Sequence, residues 1–290
     1  MVVALIALVL TMVAATGVVL LFTRRAASPQ ELDAWARSYG LALTAGNRPA
    51  VTYYVRLVIV TRVVGAVAGV VIGSAFDAAL ALHTSAGPGW WAWLIGGWTF
   101  GAWWAERELR WPPGAGVASL LPRRTADYLP GRLRAAPHAA LAIVVALAAY
   151  GALASNDATT APASYLAAVV GAAAVATALT QLAVWRTVSR RQPALRADQL
   201  AADDAIRTSA AHQLAGGGTA VVLCIAAVLA ATVAASTSPP DHLGNPLLTL
   251  GIALWLGAIV SWRYYTYRAW RVRRQGPVAG ARPGAALVAR

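Results

Sequence analysis

The sequence predicts an all-α, polytopic transmembrane bundle of about seven spans, with its N-terminus outside, its C-terminus inside and short amphipathic cytoplasmic helices. Three observations predict it. The chain is 59% hydrophobic and only 12% charged, too apolar for an ordinary water-exposed domain. All 24 basic residues are arginine, in clusters of six, six, five and seven at 24–62, 107–134, 186–207 and 263–290. The linkers at 77–89, 154–163 and 236–246 hold no arginine at all. Because cytoplasmic loops retain basic residues and translocated loops lose them, this alternation gives the orientation.

The spans lie near 2–22, 55–78, 89–105, 137–153, 164–185, 214–235 and 246–262, within a single transmembrane domain over 1–262. Roughly 20 apolar residues suffice to cross a hydrocarbon core of about 30 Å. A secretory leader is the rival reading of the first span. Against it, no basic residue precedes the long apolar run, and Arg24-Arg25 follows it. The second span includes Arg62, which is expected to snorkel toward the inner interface along a long, tilted helix. Gly65, Gly69 and Gly73 line one face of that helix, and Gly97 and Gly101 do the same for the third span, the small-xxx-small spacing that permits close helix packing. The third span also carries six tryptophans, five of them near its two ends, as an interfacial belt requires; an aromatic cage for a cation is the alternative. Three inward-pointing spans end in tryptophan followed by arginine: Trp104-Ala105-Glu106-Arg107, Trp185-Arg186 and Trp262-Arg263. Interface anchoring explains this ending without an internal repeat.

In the first inner segment, Ser28-Pro29-Gln30-Glu31 has the pattern of a capping box, and Gly40 marks the helix stop. Leu32, Trp35 and Tyr39 share a face, which predicts a helix lying on the membrane surface. Residues 195–207 predict a second surface helix, with apolar residues only at 195, 200 and 206. The tail at 263–290 is arginine-rich and cytoplasmic, its last part expected to be disordered.

The net charge of +13 invites a nucleic-acid reading, but its distribution points elsewhere. Eight of the eleven acids share the arginine segments, giving 24 − 8 = +16 inside, while Asp77, Asp157 and Asp241 give −3 outside. Juxtamembrane arginines gain about 1 kcal/mol each near anionic headgroups, so the expected partner is membrane lipid on the cytoplasmic side, with a membrane-protein partner or a second copy also open and nucleic acid not expected.

The segments Glu31-Leu32-Asp33-Ala34-Trp35-Ala36-Arg37, Asn47-Arg48-Pro49, Asp127-Tyr128-Leu129-Pro130 and Ala202-Asp203-Asp204-Ala205-Ile206-Arg207 resemble a group of actinobacterial multi-pass membrane proteins without an assigned activity. The resemblance implies a bacterial plasma-membrane location and no particular reaction. The absence of lysine, with arginine and alanine in excess, also fits a GC-rich genome.

Several chemistries are weakened or excluded. A retinal Schiff base needs a lysine amine, and the chain has none. There is no Gly-x-Ser-x-Gly and no phosphate loop ending in Gly-Lys. Cys224 is alone in an apolar stretch, and no metal-ligand pattern occurs. No cofactor is expected; His138 and His212 at the inner face are the pair a haem would require, with His83 and His242 at the outer face in loops. The leading expectation is therefore a structural or accessory membrane component without catalysis of its own. A small-solute or ion transporter, with Arg62 facing a cavity, is the alternative. A lipid-headgroup enzyme is third, and would need Asp127, Asp203, Asp204 or His212 converging in a cleft at the inner interface.

Overall fold

In the computed structural model the described residues are 28–79, 88–109, 123–154, 162–190, 195–237 and 245–267. They form eight helices: α1 (Pro29–Ser38), α2 (Arg48–Ala79), α3 (Pro88–Glu108), α4 (Thr125–Tyr128), α5 (Gly131–Ala154), α6 (Ala163–Ser189), α7 (Ala197–Thr237) and α8 (Pro246–Tyr267). No strand occurs among the described residues. The expected first span at 2–22, the tail beyond 267, His83, His242 and the side chains of Asp77, Asp157 and Asp241 lie outside them.

Five helices are long and apolar enough to cross a membrane: Arg48–Phe76, Gly131–Ala154, Ala163–Ser189, Ala197–Ser236 and Pro246–Tyr265. At 21 residues α3 has the length, but it is not among the five. Its six tryptophans and its glycines lower the mean hydropathy.

Helix α7 is the axis. It packs against α3, α5, α6 and α8, while α2 lies outside against α3. A helix that is apolar and small-sided all round belongs in the interior, and Ala220, Val222, Cys224, Ala226, Ala227, Leu229, Ala230 and Val233 are all fully buried. Gly216, Gly217 and Gly218 let three neighbours approach at one level. An added methyl would strike Tyr265 of α8, Thr99 of α3 and Thr180 of α6 respectively. The outer helices turn large apolar residues away from this axis: Ile72, Leu153, Leu179 and Val260 are each more than half exposed, a surface suited to lipid rather than water.

Two expectations change here. The sequence places a surface helix at 195–207 leading into the sixth span; α7 runs unbroken for 41 residues through both, but Ala202, Asp203, Ile206 and Arg207 are buried rather than on a surface. At 1.5 Å per residue, α7 is about 60 Å long, twice the thickness of a bilayer's hydrocarbon core. The amphipathic α1 has the predicted caps: Glu31 N–H donates to Ser28 Oγ (3.2 Å), Ser28 N–H donates to Glu31 Oε2 (3.3 Å), and Gly40 has φ 63°. Its apolar face is not left for lipid, however. Leu32 and Ala36 are buried with Val51, Tyr54, Ala105 and Ile206, so protein covers the face that the sequence assigns to the membrane surface. Helix α5 contains the expected fourth span at 137–153 and begins before it, at Gly131, so that Pro137 lies inside the helix.

Candidate functional site

The first half of α7 carries charges that no apolar pattern would place in an interior. Asp203 and Arg207 stand one turn apart, both fully buried, with Arg207 Nε donating to Asp203 Oδ2 at 2.8 Å. Two further guanidiniums converge on the same carboxylate. Arg190, just past α6, approaches Oδ1 at 2.7 Å, and Arg123, just before α4, approaches Oδ2 at 3.5 Å. Arg123 also pairs with Asp204 at 3.1 Å, and the Tyr128 hydroxyl donates to that carboxylate at 3.1 Å. Arg190 reaches across to α3, where it pairs with Glu106 Oε1 at 3.1 Å and donates to the Glu106 carbonyl at 3.1 Å.

The layer therefore joins α3, α4, α6 and α7 through three arginines and three acids whose formal charges cancel. Arg207 has a second role. Its Nη1 donates to the carbonyls of Thr187 (3.2 Å), Val188 (3.1 Å) and Arg190 (2.7 Å). The last carbonyls of a helix lack intrahelical partners and sit at the negative end of its dipole, so a guanidinium from α7 caps α6. Burial, only partly offset by Arg190 and Arg207, pushes the Glu106 carboxyl from its ordinary 4.5 up to about 7.

A second polar group lies beside the first. Arg62 is 7% exposed and holds its guanidinium 5.6 Å from the centre of the Trp98 ring. Its charge acts on the hydroxyls of Tyr39 and Tyr54. The expected snorkelling Arg62 is thus held inside the bundle against an aromatic face, an arrangement that retains cation–π attraction when water is withdrawn.

The glycine faces meet one another. A methyl on Gly65 would strike the Gly97 carbonyl, one on Gly97 would strike the Gly65 carbonyl, and one on Gly101 would strike the Thr61 carbonyl. Gly69 lies against the Trp93 carbonyl and Gly73 against the Trp93 ring. Helices α2 and α3 are in backbone contact along this seam.

No family model matches the chain, and neither a curated protein nor a solved structure does. Its chemistry is read from the geometry alone.

Of the four residues singled out at the inner interface, the structure brings only Asp203 and Asp204 into one cluster. Asp127 accepts the Arg124 N–H at 2.9 Å at the start of α4. His212 is buried further along α7, its Nδ1 2.8 Å from the Thr208 carbonyl. The four do not form a common catalytic cleft. His138 is exposed on α5 while His212 is buried. Among the described residues no group of three or more His, Cys, Asp or Glu could hold a metal.

Glu106, Arg123, Arg190 and Arg207 were not singled out by sequence reasoning. A signal for one pair existed: Asp203 and Arg207 are four residues apart in the order that favours an ion pair on a helix. Nothing comparable marks Glu106 and Arg190, which are 84 residues apart and meet only in the fold.

Proposed function

We propose that this chain is a multi-pass protein of a bacterial plasma membrane, with seven spans and its arginine-rich end in the cytoplasm. Its bundle serves as a structural or accessory component without catalysis of its own. The observation that carries this reading is the closure of its polar interior. The arginines and acids of the layer are engaged with one another, the glycine seam is packed backbone to backbone, and the buried core of α7 from Ala220 to Ala234 is apolar. A transporter places ionisable groups along its conducting path, whereas here they gather at one end and hold helices together.

The outward-facing arginines at that end support a lipid partner. Arg107, Arg132, Arg134, Arg186 and Arg263 are exposed, on α3, α5, α6 and α8. The layer and the Gln181 hydrogen bond to the Arg134 carbonyl (3.2 Å) keep the ends of α3, α5 and α6 together. Arg107 also stacks on Trp103 at 5.0 Å, the pairing of cation and indole found at headgroup level. Anionic phospholipid is the expected occupant, bound at about 1 kcal/mol per arginine.

Purification of the full chain from its native membrane, followed by lipid extraction and mass spectrometry, tests this. Anionic phospholipid or a stoichiometric membrane-protein partner should be retained, and the R134Q/R186Q variant should lose retained anionic lipid. A chain that purifies with neither would overturn the accessory reading.

A further inference from the structure

Two carboxylates compete for Arg190, and they are unequally served. Asp203 is met by Arg190 at 2.7 Å, by Arg207 at 2.8 Å and by Arg123 at 3.5 Å. Glu106 enters from the last turn of α3 with a side chain only 3% exposed, and among the described residues its one ion pair is with Arg190, at 3.1 Å. The other groups facing it are Thr187 of α6, Asp203 and Arg207 of α7 and Tyr54 of α2. Arg107, next on its own helix, points to the surface. Asp203 opposes a second negative charge nearby, and a buried carboxylate with a shared partner recovers little of the solvation it gives up. Burial raises Asp204 as well, but its side chain is part-exposed and keeps Arg123 and the Tyr128 hydroxyl as partners. That leaves Glu106 the buried acid served by one shared guanidinium.

We propose that Glu106 is a proton-binding site that sets the state of the α3–α6 junction. In the neutral form the junction closes dry. When Glu106 ionises, water enters between the two helix ends and the contact loosens. Its value near neutrality places this exchange where small pH changes alter occupancy. Proton uptake converts the carboxylate to the acid and leaves three guanidiniums facing two carboxylates. Arg190 then keeps Asp203 and the Glu106 carbonyl, neither of which depends on that proton. The junction therefore changes hydration and mobility without coming apart, a local opening rather than unfolding. The inference does not depend on which partner the arginine end meets.

The test uses the full chain in lipid nanodiscs. Infrared difference spectra across a pH titration should show the carbonyl stretch of a protonated buried acid growing as pH falls through neutrality. The band should be missing in E106Q. In parallel, T187C and S189C, each in a C224A background, are alkylated with an uncharged thiol reagent. The exposed position 189 corrects for the thiol's own titration. The rate at 187 relative to 189 should rise several-fold as pH rises through neutrality, and E106Q should hold it low and flat. A band that persists in E106Q, no band at any pH above about 5, or a relative rate indifferent to pH would each overturn the proposal. Should T187C fail to fold, the infrared titration decides alone.

Discussion

Asp203 shows what a single side chain must satisfy in this interior. It is fully buried and accepts from three guanidiniums donated by three different parts of the chain. Removing one partner of such a cluster leaves the others buried and unpaired, which costs about 3–5 kcal/mol. D203N should therefore lower the unfolding midpoint in detergent sharply. The pair could not be ranked from sequence, because an acid and an arginine four residues apart on an exposed helix look the same as a buried pair. Glu106 makes a prediction of opposite sign to an ordinary ion-paired carboxylate. Its folded value near 7 lies above its ordinary 4.5, so between these values the folded chain holds a proton that the unfolded chain has released. This group's contribution to stability is complete below about 4.5 and is lost as pH rises to about 7. A thermal-denaturation series should show that decline, and E106Q should remove it.

At the level of elements, the glycines separate into two kinds. Gly97 has no room for a methyl against the Gly65 carbonyl, so G97A must push α2 and α3 apart, an overpacking cost of about 1–3 kcal/mol. Gly171 of α6 and Gly257 of α8 have nothing within 4 Å, and alanine there should be neutral or stabilising by up to about 1 kcal/mol through helix propensity. Melting temperatures of the three variants, measured side by side, distinguish the seam from the free positions. Both stripes could be read from spacing alone, because close approach demands small residues every four positions. The capping box of α1 was readable for the same reason: it is a local rule satisfied by neighbours in sequence. The first half of α7 was not readable. Its buried residues include Ala202, Ala205, Thr208, Ser209, Ala210 and Ala211, whose periodicity carries no hydrophobic contrast. Its polar residues look solvated until their partners on α3, α4 and α6 are known.

For the whole molecule, the proposed orientation requires the linker at 154–163 to face outward and the end of α6 to face inward. In a C224A background, S155C should react with an impermeant thiol reagent on intact cells, and S189C should react only after lysis. The reverse pattern would invert the topology.

The sequence by itself determined that this is an all-helical chain with helices compatible with a membrane, and which faces can pack closely. Those properties follow from composition and period, both of which can be read without knowing what lies opposite. Only the tertiary structure decided that α7 is the axis, that α1 docks on protein, that Arg62 rests on Trp98, and that four elements meet in a neutral layer of buried charges. Burial of a polar side chain depends on partners distant in sequence. An arginine that faces lipid headgroups and one that caps a helix inside the bundle are the same letter until the fold brings their neighbours together.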